Sequence, residues 1–366
     1  MIFDGWMLIA ASPGQRPEWT RGSWAVEDGR VARLERPGRV DVRGYAVPGM
    51  VDAHCHIGIT DGGGSVDEVG QRYQAIATLA SGVTLARDCG SPVDNSWLAR
   101  QDGPTLDLIR CGRHVARPKS YIRGLALEVE DERDLPHVLA DQAAHSDGWV
   151  KLVGDWIDRS KGADSDLEPL WSRPVLRDAV AAAHEAGARV AVHAFSHAVI
   201  DDLIEAGVDD IEHGSGIDAD QAEEIARRSI LVAPTLAQVA LFGSFADQAG
   251  AKYPVYAATM RAMHEERREH FAMLADSGVR LVSGVDSGGY QKHGSIVNEL
   301  ALWQEAGMDP ARVVDTATWG TRAALGRPAL TEGGAADLVV LADDPRQDVS
   351  ALARPLHVFA GGHHVG

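Results

Sequence analysis

Two histidines one residue apart, His54 and His56, close a short run entered through Val47-Pro48-Gly49-Met50. On an extended strand successive side chains point to opposite faces, so these two imidazoles share one face. Two neutral imidazoles converging from one strand can hold a single divalent cation. Taken alone, His-x-His reads better as two packed or exposed histidines, so a metal site needs partners elsewhere in the chain.

Four further positions supply such partners. Lys151 lies inside Gly148-Trp149-Val150-Lys151-Leu152-Val153, and His193 ends Ala188-Arg189-Val190-Ala191-Val192-His193. His213 follows Asp210-Ile211-Glu212, and Asp286 follows Leu281-Val282-Ser283-Gly284-Val285. Each belongs to an apolar run, where an unpaired polar group is costly. Four histidines and an aspartate satisfy two metal ions if one more anionic ligand bridges them. Lys151 has two readings. Its neutral amine can add carbon dioxide and become a carbamate, a two-oxygen anion able to bridge two cations; alternatively it pairs with a buried acid, Asp155 or Glu212. The residues alone leave both open.

The elements that must position these groups show in the hydrophobic pattern. Residues 1–48 alternate short apolar runs with the turn signals Asp28-Gly29, Pro37-Gly38 and Arg43-Gly44, which predicts β-strands. From Pro48 onward, strand candidates at 50–57, 82–89, 106–111, 149–153, 188–193, 209–213, 230–236 and 279–285 alternate with helix-period segments. One such helix is Val175–Ala186, with Leu176, Ala179, Val180 and Ala183 on one face. Alternation of buried strands with helices predicts a parallel sheet with right-handed crossovers, and the number of units fits a closed (β/α)8 TIM barrel. The tail returns to β character at Ala336–Leu341 and His357–Ala360. The expected architecture is therefore α/β: a barrel over 49–323, flanked by a small β-sandwich built from 1–48 and 324–366. His363-His364 at the end read as inert.

Bulk properties exclude several classes. A net charge of −18 argues against nucleic-acid binding, which needs clustered basic residues. Three scattered cysteines, Cys55, Cys89 and Cys111, do not make a disulfide framework and fit a reducing compartment. The opening Met1–Ala11 has no basic start and carries Asp4, unlike a signal peptide, and no apolar stretch is long enough to span a bilayer. The expectation is a soluble cytoplasmic protein with no membrane partner.

The stretches Pro48–His56, Gly82–Asp88, Val150-Lys151-Leu152, Val192-His193-Ala194 and Ile211-Glu212-His213-Gly214 together resemble the amidohydrolase superfamily. Ala233-Pro234-Thr235-Leu236, Gly284–Gly288, Asn298-Glu299-Leu300, Ala317–Thr321 and Ala335–Leu341 continue the match in the same order. The likeness is to the branch of imidazolonepropionase-like proteins and prolidase-type carboxypeptidases. It implies that His54, His56 and Asp286 hold a buried metal, that His193 and His213 hold a more exposed one, and that Lys151, as N6-carboxylysine, bridges them. Zinc suits such ligands, although iron, manganese or nickel also fit. Two cations about 3.5–4 Å apart leave a bridging water as hydroxide near neutral pH. Asp286 then serves as general acid and base, with Lys151 and His213 completing the catalytic set.

The implied reaction is hydrolysis of a C–N bond in an amide, dipeptide, N-acyl amino acid, carbamate or urea. The alternatives are a single-metal deaminase or cyclic-amide hydrolase of the same superfamily, and a non-catalytic scaffold on the same fold. The partner is a small molecule, and family analogy allows a homo-oligomer. Loops after barrel strands carry recognition. Candidate substrate contacts are His114, Tyr121 and Arg123 after the third strand, where the branch's Gly-Gly-His segment is replaced, the extra imidazole His197, and Tyr290 and His293 beyond Asp286. Residues 154–174 combine Trp156 and Trp171 with acids, which would suit a cationic or aromatic substrate or would be a solvated acidic loop. Residues 238–256 read as a lid or a helical extension.

Overall fold

The structure, a computed structural model, describes every residue except Asp61, Arg123 and Gly366. Four strands open the chain: β1 (Ile2–Ile9), β2 (Glu18–Glu27), β3 (Arg30–Leu34) and β4 (Val42–Pro48). The β2–β3 hairpin turns on Asp28-Gly29, both with positive φ (49° and 74°), which is the two-residue turn that matches strand twist. Three strands close the chain, Leu338–Leu341, His357–Ala360 and His363–Val365. The first of them pairs antiparallel with β4, so both ends meet in one seven-stranded sheet. The expected meeting of the ends is present. Among the described residues the hydrogen bonding joins both ends in that one sheet. In the last hairpin His357 Nδ1 lies 3.0 Å from His364 Nε2.

Between the ends, parallel strands alternate with helices. They are β5 (Met50–Cys55), β6 (Val83–Asp88), β7 (Asp107–Arg110), β8 (Val115–Ala116), β9 (Leu127–Glu128) and β10 (Trp149–Val153). After a short antiparallel ribbon, β11 (Asp155–Ile157) with β12 (Leu167–Pro169), come β13 (Arg189–Ala194), β14 (Asp210–His213), β15 (Leu231–Ala233) and β16 (Arg280–Leu281). β5, β6 and β7 form one parallel group, while β16, β15, β14, β13, β10, β8 and β9 form another. Backbone bonds tie β5 to the segment after β16: Ala53 N to Ser283 O at 2.7 Å, Asp286 N to His54 O at 2.8 Å and His56 N to Ser287 O at 2.7 Å. On the other side Asp147 N bonds Arg110 O at 2.8 Å, and Leu152 of β10 pairs with Val115 of β8.

Strand alternation sorts the side chains. In β10, Val150 and Leu152 join the large core shared with the helices, whereas Trp149 joins a smaller inner cluster with Val51, Leu85 and Ala191. The helix expected at 175–186 spans Arg173–Glu185 and buries the four residues of its apolar face. β15 and β16 are shorter than their apolar runs. Pro234 follows β15 directly, and Val282 onward bonds residue by residue without a continuous ladder.

Candidate metal centre

Six side chains from five strand ends converge. The Nε2 atoms of His54 and His56 each lie 3.3 Å from Asp286 Oδ1. His213 Nε2 lies 3.0 Å from His193 Nδ1, and the His54 and His213 rings are 5.0 Å apart. His54, His213 and Asp286 each offer a ligand atom within 4.8 Å of the others. Lys151, fully buried beneath them, faces Glu212, whose Oε2 is also 3.8 Å from His54 Nδ1. Of the two acids available from sequence, the partner of Lys151 is thus Glu212. Asp155 instead accepts from the backbone N–H groups of Phe195 and Ser196 and lies behind the cluster, its Oδ1 3.7 Å from His193 Nε2.

Backbone geometry aims these groups. Ala191 and His193 share the inner face of β13, as do Trp149 and Lys151 in β10. Alternation after the inward Glu212 would send His213 outward. His213 instead has φ 66°, and Asp286 has φ 60°. A left-handed backbone at non-glycine residues is strained and gathers at functional sites. Glycines let the chains approach: a Cβ on Gly284 would lie 2.8 Å from His54 N, and one on Gly288 would lie 2.3 Å from His56 O.

Hydrogen bonds from behind fix the rings. His56 Nδ1 is 2.9 Å from Gly90 O, and His213 Nδ1 is 2.6 Å from Thr235 Oγ1. With Nδ1 engaged outward, each ring turns Nε2 into the site, the arrangement by which outer groups orient metal-binding histidines. Asp52 joins β5 to the Asp286 loop by accepting from His54 N at 3.2 Å and Val285 N at 3.1 Å.

The electrostatics suit cation ligands. Burial holds His193 and His213 well below the usual histidine range and His54 down to about 3, so all three stay neutral. Burial would raise Asp286, yet the surrounding imidazoles, with hydrogen bonds from His54 and His56, hold it well below the carboxylate range. Burial brings the Lys151 amine down to about 8. Both ring nitrogens of His54 and Nε2 of His193 are buried without an aligned hydrogen bond. Neutral imidazole nitrogens lacking donors, gathered on an ionised carboxylate, form a donor set that fits a divalent cation.

A cavity of about 300 Å³ opens above this cluster, lined by His56, His193 and Asp286 at its base. Of the expected substrate contacts, Tyr121 and Tyr290 line it. His114 is buried behind it, its ring 6.1 Å from that of His56. His293 lies to the side with Nδ1 3.3 Å from Ser287 Oγ. His197 is not brought to the cavity: it starts the helix His197–Ala206, exposed, with Nδ1 3.1 Å from Gly216 O. Arg123 lies outside the described residues. Trp156 lines the cavity, whereas Trp171 packs underneath and donates to Val153 O at 2.7 Å. Residues 238–256 are largely helical and contribute Gln238, Phe245, Tyr253 and Tyr256.

Sequence reading missed the buried Arg87, whose guanidinium contacts Asp210, lies 3.4 Å from Glu212 Oε1 and stacks 4.4 Å from the Trp149 ring. An arginine inside the apolar run Val83–Asp88 was the available signal.

A sequence model of the Amidohydrolase family matches residues 45–365. An uncharacterized protein of Mycobacterium tuberculosis is 43% identical over 347 residues, covering 94% of this chain and 91% of its own. Ochratoxinase of Aspergillus niger is 24% identical over 374 residues, covering 86% of this chain and 74% of its own. The crystal structure of a Xaa-Pro dipeptidase with bound methionine superposes with a TM-score of 0.81 at 19% identity, covering 100% of this chain and 99% of that one. At that identity the last likeness is one of fold.

Proposed function

The chain belongs to the amidohydrolase family, and from that premise we propose that it is a binuclear metal-dependent hydrolase of C–N bonds, with an amide or dipeptide as substrate. The observation that carries this reading is the meeting of His54 and His56 Nε2 on one oxygen of Asp286, beside the His193–His213 pair. In it His54, His56 and Asp286 hold one cation, His193 and His213 the second, and Lys151, as N6-carboxylysine, lies between. The carbamate forms when the neutral amine attacks carbon dioxide and releases a proton. The Xaa-Pro dipeptidase among the structural relatives supports an amide or dipeptide as the substrate. The strands from β5 to β16, with the bonds joining β5 to Ser283 and Ser287, are read as a closed barrel over 49–323 beside a unit of 1–48 and 324–366.

Divalent cations bound there, zinc in the first instance, would supply an acidified water and polarise the substrate carbonyl. The chain's own groups do the rest. Asp286, ionised and 13% exposed in its side chain, accepts the proton of the attacking water. It then delivers that proton to the leaving nitrogen as the C–N bond breaks, so the products are a carboxylic acid and an amine. The aromatic wall above the base excludes water and orients the scissile group.

A single-cation reading, as a deaminase or cyclic-amide hydrolase, draws on the trio His54, His213 and Asp286. It leaves Lys151 and His193 without a role. Elemental analysis after purification in zinc-supplemented buffer separates the two, with about two metals per chain expected from the binuclear reading and one from the alternative. Chelation should abolish hydrolysis of a panel of dipeptides and N-acyl amino acids, and zinc should restore it. Full activity in metal-free protein would end the proposal.

A further inference from the structure

The strands that end at the candidate metal centre begin at the opposite end of the parallel group. There Arg189 opens β13 and Arg280 opens β16. With Arg228, the last residue of the helix Ala219–Arg228, they line a cavity of about 220 Å³ whose walls include Asp209, Ser229 and Ala324. It shares no lining residue with the aromatic cavity above the histidines.

Three guanidiniums around one cavity, in a chain of net charge −18, call for a physical reason. Two of them have one. Helices ending at Ala206, Arg228 and Ala324 bring carbonyl oxygens without helical partners to this end. Arg189 Nη1 donates to Ala324 O and Arg228 Nη1 to Ile204 O, each at 3.0 Å, and Arg228 Nε lies 2.5 Å from Glu224 Oε1. Arg280 has no such task. It is exposed, and its guanidinium makes no hydrogen bond or ion pair among the described residues.

The cluster is not neutralised from within. Asp209 is the one carboxylate among the lining residues, and its Oδ2 accepts from Val190 N at 2.8 Å and lies 2.8 Å from His184 Nε2. Burial, with the like charges of Arg87 and Arg280, pulls Arg189 below the usual arginine range against Asp209 and Asp210. Arg189 is also held in place, its guanidinium 4.1 Å from the ring of buried Trp149. A stacked, half-buried guanidinium with most of its N–H donors unbonded loses little freedom when an anion arrives.

We propose that this cavity is a binding site for a phosphate group, free or carried by a small monoester, held by Arg280 and Arg189 with the Ser229 hydroxyl. Two guanidinium forks from two strands match the several oxygens of a phosphate dianion, whereas a carboxylate fills one fork. The site lies at the far end of the strands from the metal ligands and stands whether or not the hydrolase reading does.

Phenylglyoxal, which attacks free guanidiniums, tests this on the full chain, with peptide mass spectrometry as the readout. Inorganic phosphate should slow modification of Arg280 about tenfold at ten times its Kd, which is expected at about 1 mM. Arg39, exposed and unpaired among the described residues, should not be protected, and acetate at matched ionic strength should protect Arg280 little. Glycerol phosphate distinguishes the sources: tighter protection than by inorganic phosphate assigns an ester, and equal protection assigns the phosphate group alone. In Arg280→Gln the phosphate concentration that protects Arg189 should rise about tenfold, and Arg280→Lys should recover part of the loss. Phosphate bound at metal ions would not respond to these variants. Modification of Arg280 indifferent to phosphate, equal protection by acetate or of Arg39, or protection of Arg189 unchanged in Arg280→Gln overturns the assignment.

Discussion

Thr235 Oγ1 lies 2.6 Å from His213 Nδ1, and both residues hold a left-handed backbone, with φ of 42° and 66°. Two strained residues, one ending β14 and one just beyond the adjacent β15, therefore fix one imidazole so that its Nε2 faces the site. Thr235→Val keeps the shape and removes the hydroxyl. Metal affinity or turnover should fall about 10–100-fold, the usual cost of losing a group that orients a ligand. Thr235→Ser should retain most of it. Metal titration against a competing chelator reads the difference, and equal affinities in wild type and Thr235→Val would refute the role.

Lys151→Ala should abolish turnover and lower metal content, because it removes the group read as the bridging anion. If the carbamate is the bridge, added formate or acetate should restore part of the activity in Lys151→Ala, and intact wild-type protein should weigh one carbon dioxide more than its sequence. An unmodified mass together with no rescue would favour the plain Lys151–Glu212 pair.

Asp286→Asn keeps the size of the side chain and removes the proton acceptor. Turnover should drop about 10²- to 10⁴-fold, the range for loss of a positioned acid–base group. Steady-state kinetics with metal content measured in parallel distinguishes a chemical loss from a loss of metal.

Glu299 accepts from Leu236 N and Ala237 N at 2.6 Å each and from Trp303 Nε1 at 2.7 Å, and burial raises its carboxyl to about 7. Its folded pKa is above the unfolded value of 4.5, so between the two the folded state keeps a proton that the unfolded state has lost. This contribution is present at low pH and is lost as pH rises through about 7, at up to about 1.4 kcal/mol per pH unit inside that window. Urea unfolding from pH 4.5 to 8 should show wild type losing ground to Glu299→Gln as pH rises. Parallel stability curves would contradict this.

Arg87→Met leaves the buried carboxylate of Asp210 without its cation, while Glu212 keeps Lys151. Breaking a buried pair in this way costs about 3–5 kcal/mol. A fall in the urea midpoint with unchanged slope is expected. A change below about 1 kcal/mol would contradict this.

The sequence carried the strand–helix alternation, because buried strands and amphipathic helices leave periodic apolar patterns whatever their neighbours. It also carried the ligand types at strand ends: His54, His56, Lys151, His193, His213 and Asp286 are polar interruptions of apolar runs, and each lies at the converging cluster. Local pattern, however, has no term for distance along the chain. The choice of Glu212 over Asp155 as the neighbour of Lys151, the exclusion of His197 and the burial of Arg87 among partners more than 100 residues away arise only when remote strands pair. Alternation even gives the wrong face for His213, and only the left-handed backbone beside Gly214 turns it inward. Residue chemistry and period were thus written in the sequence. Which groups meet was decided by the tertiary fold, since those contacts depend on how strands far apart in the chain are brought side by side.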